Sequence, residues 1–159
     1  MAPSHFSPDA HQRLSEEHAH RSGPYRREIS LRIERAREHG DIRENADYDA
    51  AKNEQGLNEA RVRQIAALLD DAVIVEPGTD SGGVVAAGSL VEITMDGDDE
   101  PLVYLVGSIE ERHDTYEVLS TSGPLGQAVL GHTPGETLTY ETPRGAEVTV
   151  KIVAVRPLD

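Results

Sequence analysis

The chain has 159 residues, with 15 basic and 29 acidic side chains and a formal net charge of −14. That length suits one ordinary domain or two small ones, and 37% hydrophobic residues, 4% aromatic residues and no tryptophan argue against one large core. The lack of cysteine excludes disulfides, thiolate metal sites and a cysteine nucleophile.

The first residues, Met1-Ala2-Pro3-Ser4-His5-Phe6, offer neither a charged region nor an apolar one, so no signal peptide is expected. No run approaches the roughly 18 apolar residues that span a bilayer. A soluble, cytoplasmic protein is the expectation. Charge is unevenly spread. Residues 1–75 hold 11 basic and 14 acidic side chains, net −3, whereas residues 76–159 hold 4 and 15, net −11. Affinity for duplex nucleic acid rests on neutralising phosphates. The second part would repel a duplex, so a free-standing DNA binder is a poor reading. Arginines cluster between Arg26 and Arg43, leaving room for a local basic surface in the first part.

Ser7-Pro8-Asp9 predicts a helix start, with Ser as N-cap, Pro at the first helical position and an acid in the first turn. Gly23-Pro24 then predicts a kink or break, because an interior proline removes a hydrogen bond and clashes with the turn before it, at about 3 kcal/mol. From Glu28 to His39 the apolar residues Ile29, Ile33 and Ala36 share one face, and Gly40 is placed to close the helix.

A second helical pattern follows Gly40-Asp41 and runs to about Val73. Its seam is Tyr48, Ala51, Gln55, Asn58, Val62, Ile65, Leu69 and Ala72, spaced alternately by three and four residues. That alternation marks a partner face of coiled-coil type, with Gln55 and Asn58 as polar positions that weaken the seam but fix its register. Two helices joined by one tight turn must run antiparallel, giving a hairpin on the order of 45 Å long. The expected domains are a hairpin over 1–75, a linker over 76–88 and a sheet domain over 89–159.

Pro77-Gly78-Thr79-Asp80-Ser81-Gly82-Gly83 reads as a flexible connection. Beyond it the period becomes extended, with runs at Leu90–Met95, Leu102–Val106, Tyr116–Leu119, Thr137–Tyr140 and Glu147–Val155. Asp96-Gly97-Asp98-Asp99 and Thr142-Pro143-Arg144-Gly145 are turn signals between strands. A short helix is predicted at Leu125–Leu130, bracketed by Pro124 and Gly131. The fold class expected is therefore a helical hairpin followed by a small, mostly antiparallel α+β module.

Asp41 and Glu44 stand three apart at the hairpin tip, so both carboxylates share one face of a first helical turn. Two readings stay open on spacing alone. Acids there offset the macrodipole and cap free amides, or they form half of a hard-cation site, since Mg²⁺ is usually held jointly with substrate phosphates. Arg37, Arg43 and Lys52 flank the tip and are either a solvated face or a nucleic-acid contact. Tyr48 is either a seam residue or a stacking platform. The seven histidines include no i, i+4 pair beside a third ligand, so a zinc site is not expected.

Arg35-Ala36-Arg37-Glu38-His39-Gly40-Asp41-Ile42-Arg43-Glu44-Asn45-Ala46-Asp47-Tyr48, followed by Ala50-Ala51-Lys52-Asn53-Glu54-Gln55-Gly56, resembles the tip of the bacterial transcript cleavage factors of the GreA type. Gly123-Pro124-Leu125-Gly126-Gln127-Ala128-Val129-Leu130-Gly131 resembles that family's loop and helix, and the turn at Thr142–Gly145 is similar too. The resemblance implies an N-terminal coiled-coil hairpin and a C-terminal FKBP-like domain. It implies that the second domain docks on RNA polymerase through Ser122, Gly123, Pro124 and Leu125 while the hairpin enters the secondary channel.

Asp41 and Glu44 would then help hold a Mg²⁺ ion shared with the polymerase active site, none being expected on the free protein. The polymerase would cleave the 3′ end of backtracked RNA, so the factor, a monomer, is an accessory rather than an enzyme. Arg37, Arg43 and Lys52 would contact RNA or polymerase, with Asn45 and Tyr48 supporting the tip. Two other readings are a non-cleaving homologue that blocks the channel and inhibits transcription, and a prolyl isomerase carrying a helical appendage. The second part offers only Tyr104, Tyr116 and Tyr140 as aromatics, a poor set for a proline pocket.

Overall fold

Helix α1 (Pro8–Ser22) begins where its capping residues place it: the Ser7 hydroxyl accepts the Ala10 amide at 3.2 Å and the Ser7 carbonyl accepts that of His11 at 3.0 Å. The computed structural model describes residues 4–39, 42–76 and 82–158, without the side chains of His39 and of residues 42–45. The expected turn at Gly40-Asp41 and residues 77–81 of the expected linker lie outside the described residues.

The Gly23-Pro24 break is real. α1 ends at Ser22 and α2 (Pro24–His39) restarts at the proline, which occupies the first helical position, where its missing N–H costs nothing. Helix α3 (Ile42–Asp70) packs against α2, with Ile29, Ile33 and Ala51 as a buried cluster flanked by Tyr25 and Tyr48. Ala51, Asn58, Val62 and Ile65 of the predicted seam are buried, and Tyr48, Gln55 and Leu69 are half-buried. The helix does not reach Val73 as expected but ends at Asp70, and the last seam residue, Ala72, begins a short strand.

Ion pairs cross this hairpin. Arg26 grips Glu59 with two bonds of 2.8 and 2.9 Å, Arg32 meets Glu54, and Arg61 bonds Glu17 at 2.9 and 3.1 Å. The higher residue number on α3 pairs with the lower on the first two helices, which is the antiparallel arrangement. Asn58 crosses as well: its amide donates to the Arg21 carbonyl at 2.9 Å, and its oxygen accepts from the Arg21 guanidinium at 3.2 Å. Arg21 carries one of the last four carbonyls of α1, so the polar seam position caps the break.

All five predicted extended runs are strands: β3 (Ser89–Met95), β4 (Leu102–Gly107), β5 (Glu117–Ser120), β6 (Thr137–Glu141) and β7 (Glu147–Pro157). They form one sheet in the order β5-β4-β3-β7-β6. Three pairings are antiparallel, and β4–β5 is parallel because residues 108–116 carry the chain back across before β5 begins. A two-stranded parallel sheet, β1 (Ser4–Phe6) with β2 (Ala72–Ile74), was not among the predicted elements.

Alternation along the strands gives the sheet two faces. Val91, Ile93, Val106, Val150 and Ile152 form one core with Val129 of α4 (Pro124–Val129). Leu90 and Leu105, paired across β3 and β4, are buried on the opposite side. Phe6, fully buried, lines a cavity of about 90 Å³ there with Val75, Gly88 and Leu105. The chain divides into two compact units, residues 12–71 and the residues up to 11 together with those from 72 onward. Among the described residues no helix is long and apolar enough to cross a membrane.

Candidate functional site

The hairpin brings three of the predicted site residues together near its tip. Arg37 on α2 lies over the Tyr48 ring of α3, its guanidinium carbon 5.6 Å from the ring centre. That contact is a cation–π pair spanning the two helices. The Arg37 guanidinium beside the phenol chiefly, with the charge of Lys52, lowers the Tyr48 hydroxyl below its usual pKa. Tyr48 packs against the Ile29–Ile33–Ala51 cluster, so its ring serves the seam and braces Arg37 at once.

Lys52 stands one helical turn beyond Tyr48 and donates to the Gln55 side chain at 2.9 Å. Arg37 and Lys52 line one open groove with Ser30, Ile33, Glu34, Glu38 and Gln55, so a cation from each helix is set there beside two carboxylates of α2. The wider basic surface expected between Arg26 and Arg43 is smaller than the composition suggests, because Arg26 and Arg32 are engaged by Glu59 and Glu54.

Asp41 lies outside the described residues, and so do the side chains of Arg43, Glu44 and Asn45; the backbone of these last three belongs to the first turn of α3. Two carboxylates are hard oxygen donors of the kind Mg²⁺ takes, and they are too few to hold it alone. Among the described residues no three His, Asp or Glu side chains converge on a metal-sized site.

The second predicted surface is the loop leading into α4. Ser120 and Ser122 share a hydroxyl–hydroxyl bond of 2.9 Å, and the Ser122 amide donates to Ser120 Oγ at 3.2 Å. Gly123 sits in the N-cap position with extended backbone and accepts the Gln127 amide at 2.9 Å. Ser122 and Pro124 are exposed, whereas Leu125 packs on the sheet core. Gly126 is indispensable to this geometry: a Cβ there would lie 1.8 Å from the Ser120 carbonyl oxygen. The loop therefore presents a polar, proline-stiffened rim anchored from beneath.

The sequence reading missed two polar contacts. One is the Asn58 clasp on the α1 break, signalled only by a polar residue in an apolar seam. The other joins Ser7 to Glu111, 104 residues apart, for which no local pattern exists.

Residues 5–74 match the family model described as transcription elongation factor, N-terminal, and residues 80–157 match that described as transcription elongation factor, GreA/GreB, C-terminal. Over 151 residues the chain is 46% identical to the transcription elongation factor GreA of Streptomyces coelicolor, covering 94% of this chain and 90% of that one. It is 44% identical over 132 residues to the GreA of Thermomicrobium roseum, covering 82% and 83%. The GreA of Pseudomonas aeruginosa is 37% identical over 144 residues, covering 90% of each.

Proposed function

The chain belongs to the GreA/GreB family of transcription elongation factors, and from that premise we propose that it enters the secondary channel of RNA polymerase and stimulates hydrolysis of backtracked RNA. The carrying observation is the pairing of Arg37 and Lys52 across one groove, braced by Tyr48, on the helices that flank Gly40-Asp41.

In this reading Arg37 and Lys52 bind phosphates of the extruded RNA 3′ segment, and Tyr48 keeps the arginine extended toward them. Arg43 adds a third cation at the tip, and Asn45 supports the turn. Asp41 and Glu44 would hold a Mg²⁺ ion jointly with the polymerase active site, where the ion would supply charge stabilisation and lower the pKa of the attacking water. The protein contributes positioning and two charges, and the polymerase performs the cleavage, so the chain is an accessory factor and not itself an enzyme. Ser122, Gly123, Pro124 and Leu125 dock on the polymerase rim, and the factor acts as a monomer. With net −11 beyond residue 75, association depends on a polymerase surface and not on free duplex DNA.

The test is RNA cleavage by backtracked complexes at saturating factor, with a competition assay for channel occupancy. Asp41→Asn keeps side-chain volume and an N-terminal acceptor while removing the charge. The expected variant binds, excludes the wild type and fails to cleave. Cleavage at the wild-type rate removes Asp41 from the mechanism. A wild-type factor that occupies the channel and slows the enzyme without cleaving would establish the inhibitor instead.

A further inference from the structure

The Ser7–Glu111 contact does more than close a helix. Ser7 gives both of its donors to one carboxylate: its amide bonds Glu111 Oε2 at 3.0 Å, and its hydroxyl bonds Oε1. The same hydroxyl oxygen accepts the Ala10 amide, so Ser7 caps α1 and is gripped by Glu111 at once. Hydrogen bonds to an ionised acceptor are roughly twice as strong as neutral ones.

The loop that carries Glu111 is built to hold it. The Glu111 amide donates to the Ser108 carbonyl at 3.0 Å, and Ser108 Oγ accepts the Glu110 amide at 3.1 Å. On the far side the His113 ring nitrogen accepts the amides of Thr115 and Tyr116 at 3.1 and 3.3 Å, with its ring against Tyr116. Gly107 leaves room: a Cβ there would stand 3.2 Å from Glu111 Cγ. Behind the contact, Phe6 is buried and the Phe6 carbonyl accepts the Val75 amide at 2.7 Å.

Helix α1 starts in the sheet-bearing unit and continues into the hairpin unit. Its first turn is therefore the covalent entry to the element that carries the tip. We propose that Glu111 is a positioning residue: by clasping Ser7 it fixes the start of α1, and through that helix it governs how effectively the tip acts in polymerase. It touches neither RNA nor ion. The proposal rests on the reading that the hairpin tip acts inside polymerase, and small misplacements of a reacting group are costly there.

The experiment titrates full-length factor on backtracked polymerase, separating the half-saturating concentration from the maximal cleavage rate. Glu111→Gln keeps the shape and loses the charge. Its maximal rate should fall roughly tenfold with the half-saturating concentration unchanged, because the docking loop is untouched. Glu111→Asp should restore part of the rate, and Ser7→Thr, which keeps the hydroxyl, should behave as wild type. Ser7→Ala removes both the donor to Glu111 and the cap on the Ala10 amide, so it should lower the maximal rate at least as far as Glu111→Gln, and the double variant should be no worse than Ser7→Ala.

Amide exchange should quicken at residues 7–11 and stay unchanged in α2 and β7. An unchanged maximal rate in Glu111→Gln, despite faster exchange at Ala10 and His11, overturns the proposal. If Glu111→Gln fails to fold, the Ser7→Ala and Ser7→Thr pair decides, and equal maximal rates for the two overturn it. If the wild type binds without cleaving, the cleavage reading falls, and the same criteria apply to the maximal slowing of elongation.

Discussion

The hairpin and the sheet are stabilised by different means. The sheet unit buries Val85, Val91, Ile93, Val106, Val129, Val150 and Ile152 around one core, and its strands hold their polar groups in ladders. The described part of the hairpin buries a thin line, chiefly Ile29, Ile33, Ala51, Val62 and Ile65, and supplements it with arginine–glutamate pairs and one buried amide. A narrow seam with charged flanks leaves Arg37 and Lys52 on one open groove at the hairpin surface, whereas the sheet unit closes a dense β-branched core.

Core truncation should separate the two most sharply. Ile152→Ala, at a fully buried position in the central strand pair, is expected to cost about 2–5 kcal/mol. Ile33→Ala, at 7% exposure on the two-helix seam, should fall at or below the lower end of that range because water reaches the site more easily. Urea titration followed by residue-resolved exchange checks this, and equal costs would erase the contrast.

The same substitution should have opposite signs in the two regions. Gly126→Ala places a Cβ 1.8 Å from backbone oxygen, so α4 must shift, at about 1–3 kcal/mol or more. Gly56→Ala sits on exposed α3 with nothing within 4 Å, and should stabilise the hairpin by about 0.5–1 kcal/mol through helix propensity. Thermal unfolding of both variants measures the pair, and a loss at Gly56 would show that α3 needs its flexibility.

Most of this contrast is legible in the amino-acid sequence. The change from a three–four alternation to short runs between Gly, Pro and Asp turns located all five sheet strands within a residue or two, but it carried α3 to about Val73, past its end at Asp70 and into β2. Ser7-Pro8 and Gly23-Pro24 marked helix boundaries because their chemistry is local. The β1–β2 pair was illegible, since three residues carry no period. The parallel β4–β5 pairing was equally hidden, because turn residues announce a reversal and not the path a loop takes. Arg37, Tyr48 and Lys52 could be named from the sequence, but that Tyr48 braces Arg37 across two helices is a property of packing. Glu111 gave no signal at all, lying in an acidic loop among fourteen other acids beyond residue 75.

The buried amide offers a smaller test. Asn58→Ala removes the donor to the Arg21 carbonyl at the α1 break. An unsatisfied buried acceptor costs about 1–3 kcal/mol, and the lower end applies here because Arg21 is partly exposed. Exchange should rise around Ser22–Arg26 and hardly at all near Ala51. Uniform destabilisation of α2 and α3 would mean that Asn58 acts through packing alone.

The smallest expected effect concerns acid, and it too distinguishes the two regions. Glu17 of α1 is held at a pKa of about 2, against an ordinary 4.5, chiefly by its hydrogen bonds to Arg61 and then Arg21. A carboxylate whose folded pKa is depressed contributes stability above its unfolded pKa and loses it as pH falls through the folded one. The hairpin should therefore weaken between about pH 4.5 and pH 2. Glu17→Gln should weaken it at neutral pH, flatten that acid response and converge on the wild type at the low end. Because the pair is only partly buried, the change is expected to stay near or below about 1 kcal/mol. In the sheet unit the depressed carboxyl is Glu136, held mainly by the Thr133 amide with help from His132. Glu17→Gln should leave the acid response of β6 and β7 unchanged, and residue-resolved exchange between pH 2 and pH 6 would show it. A parallel shift in both units would mean that the acid response belongs to net charge and not to these two carboxylates.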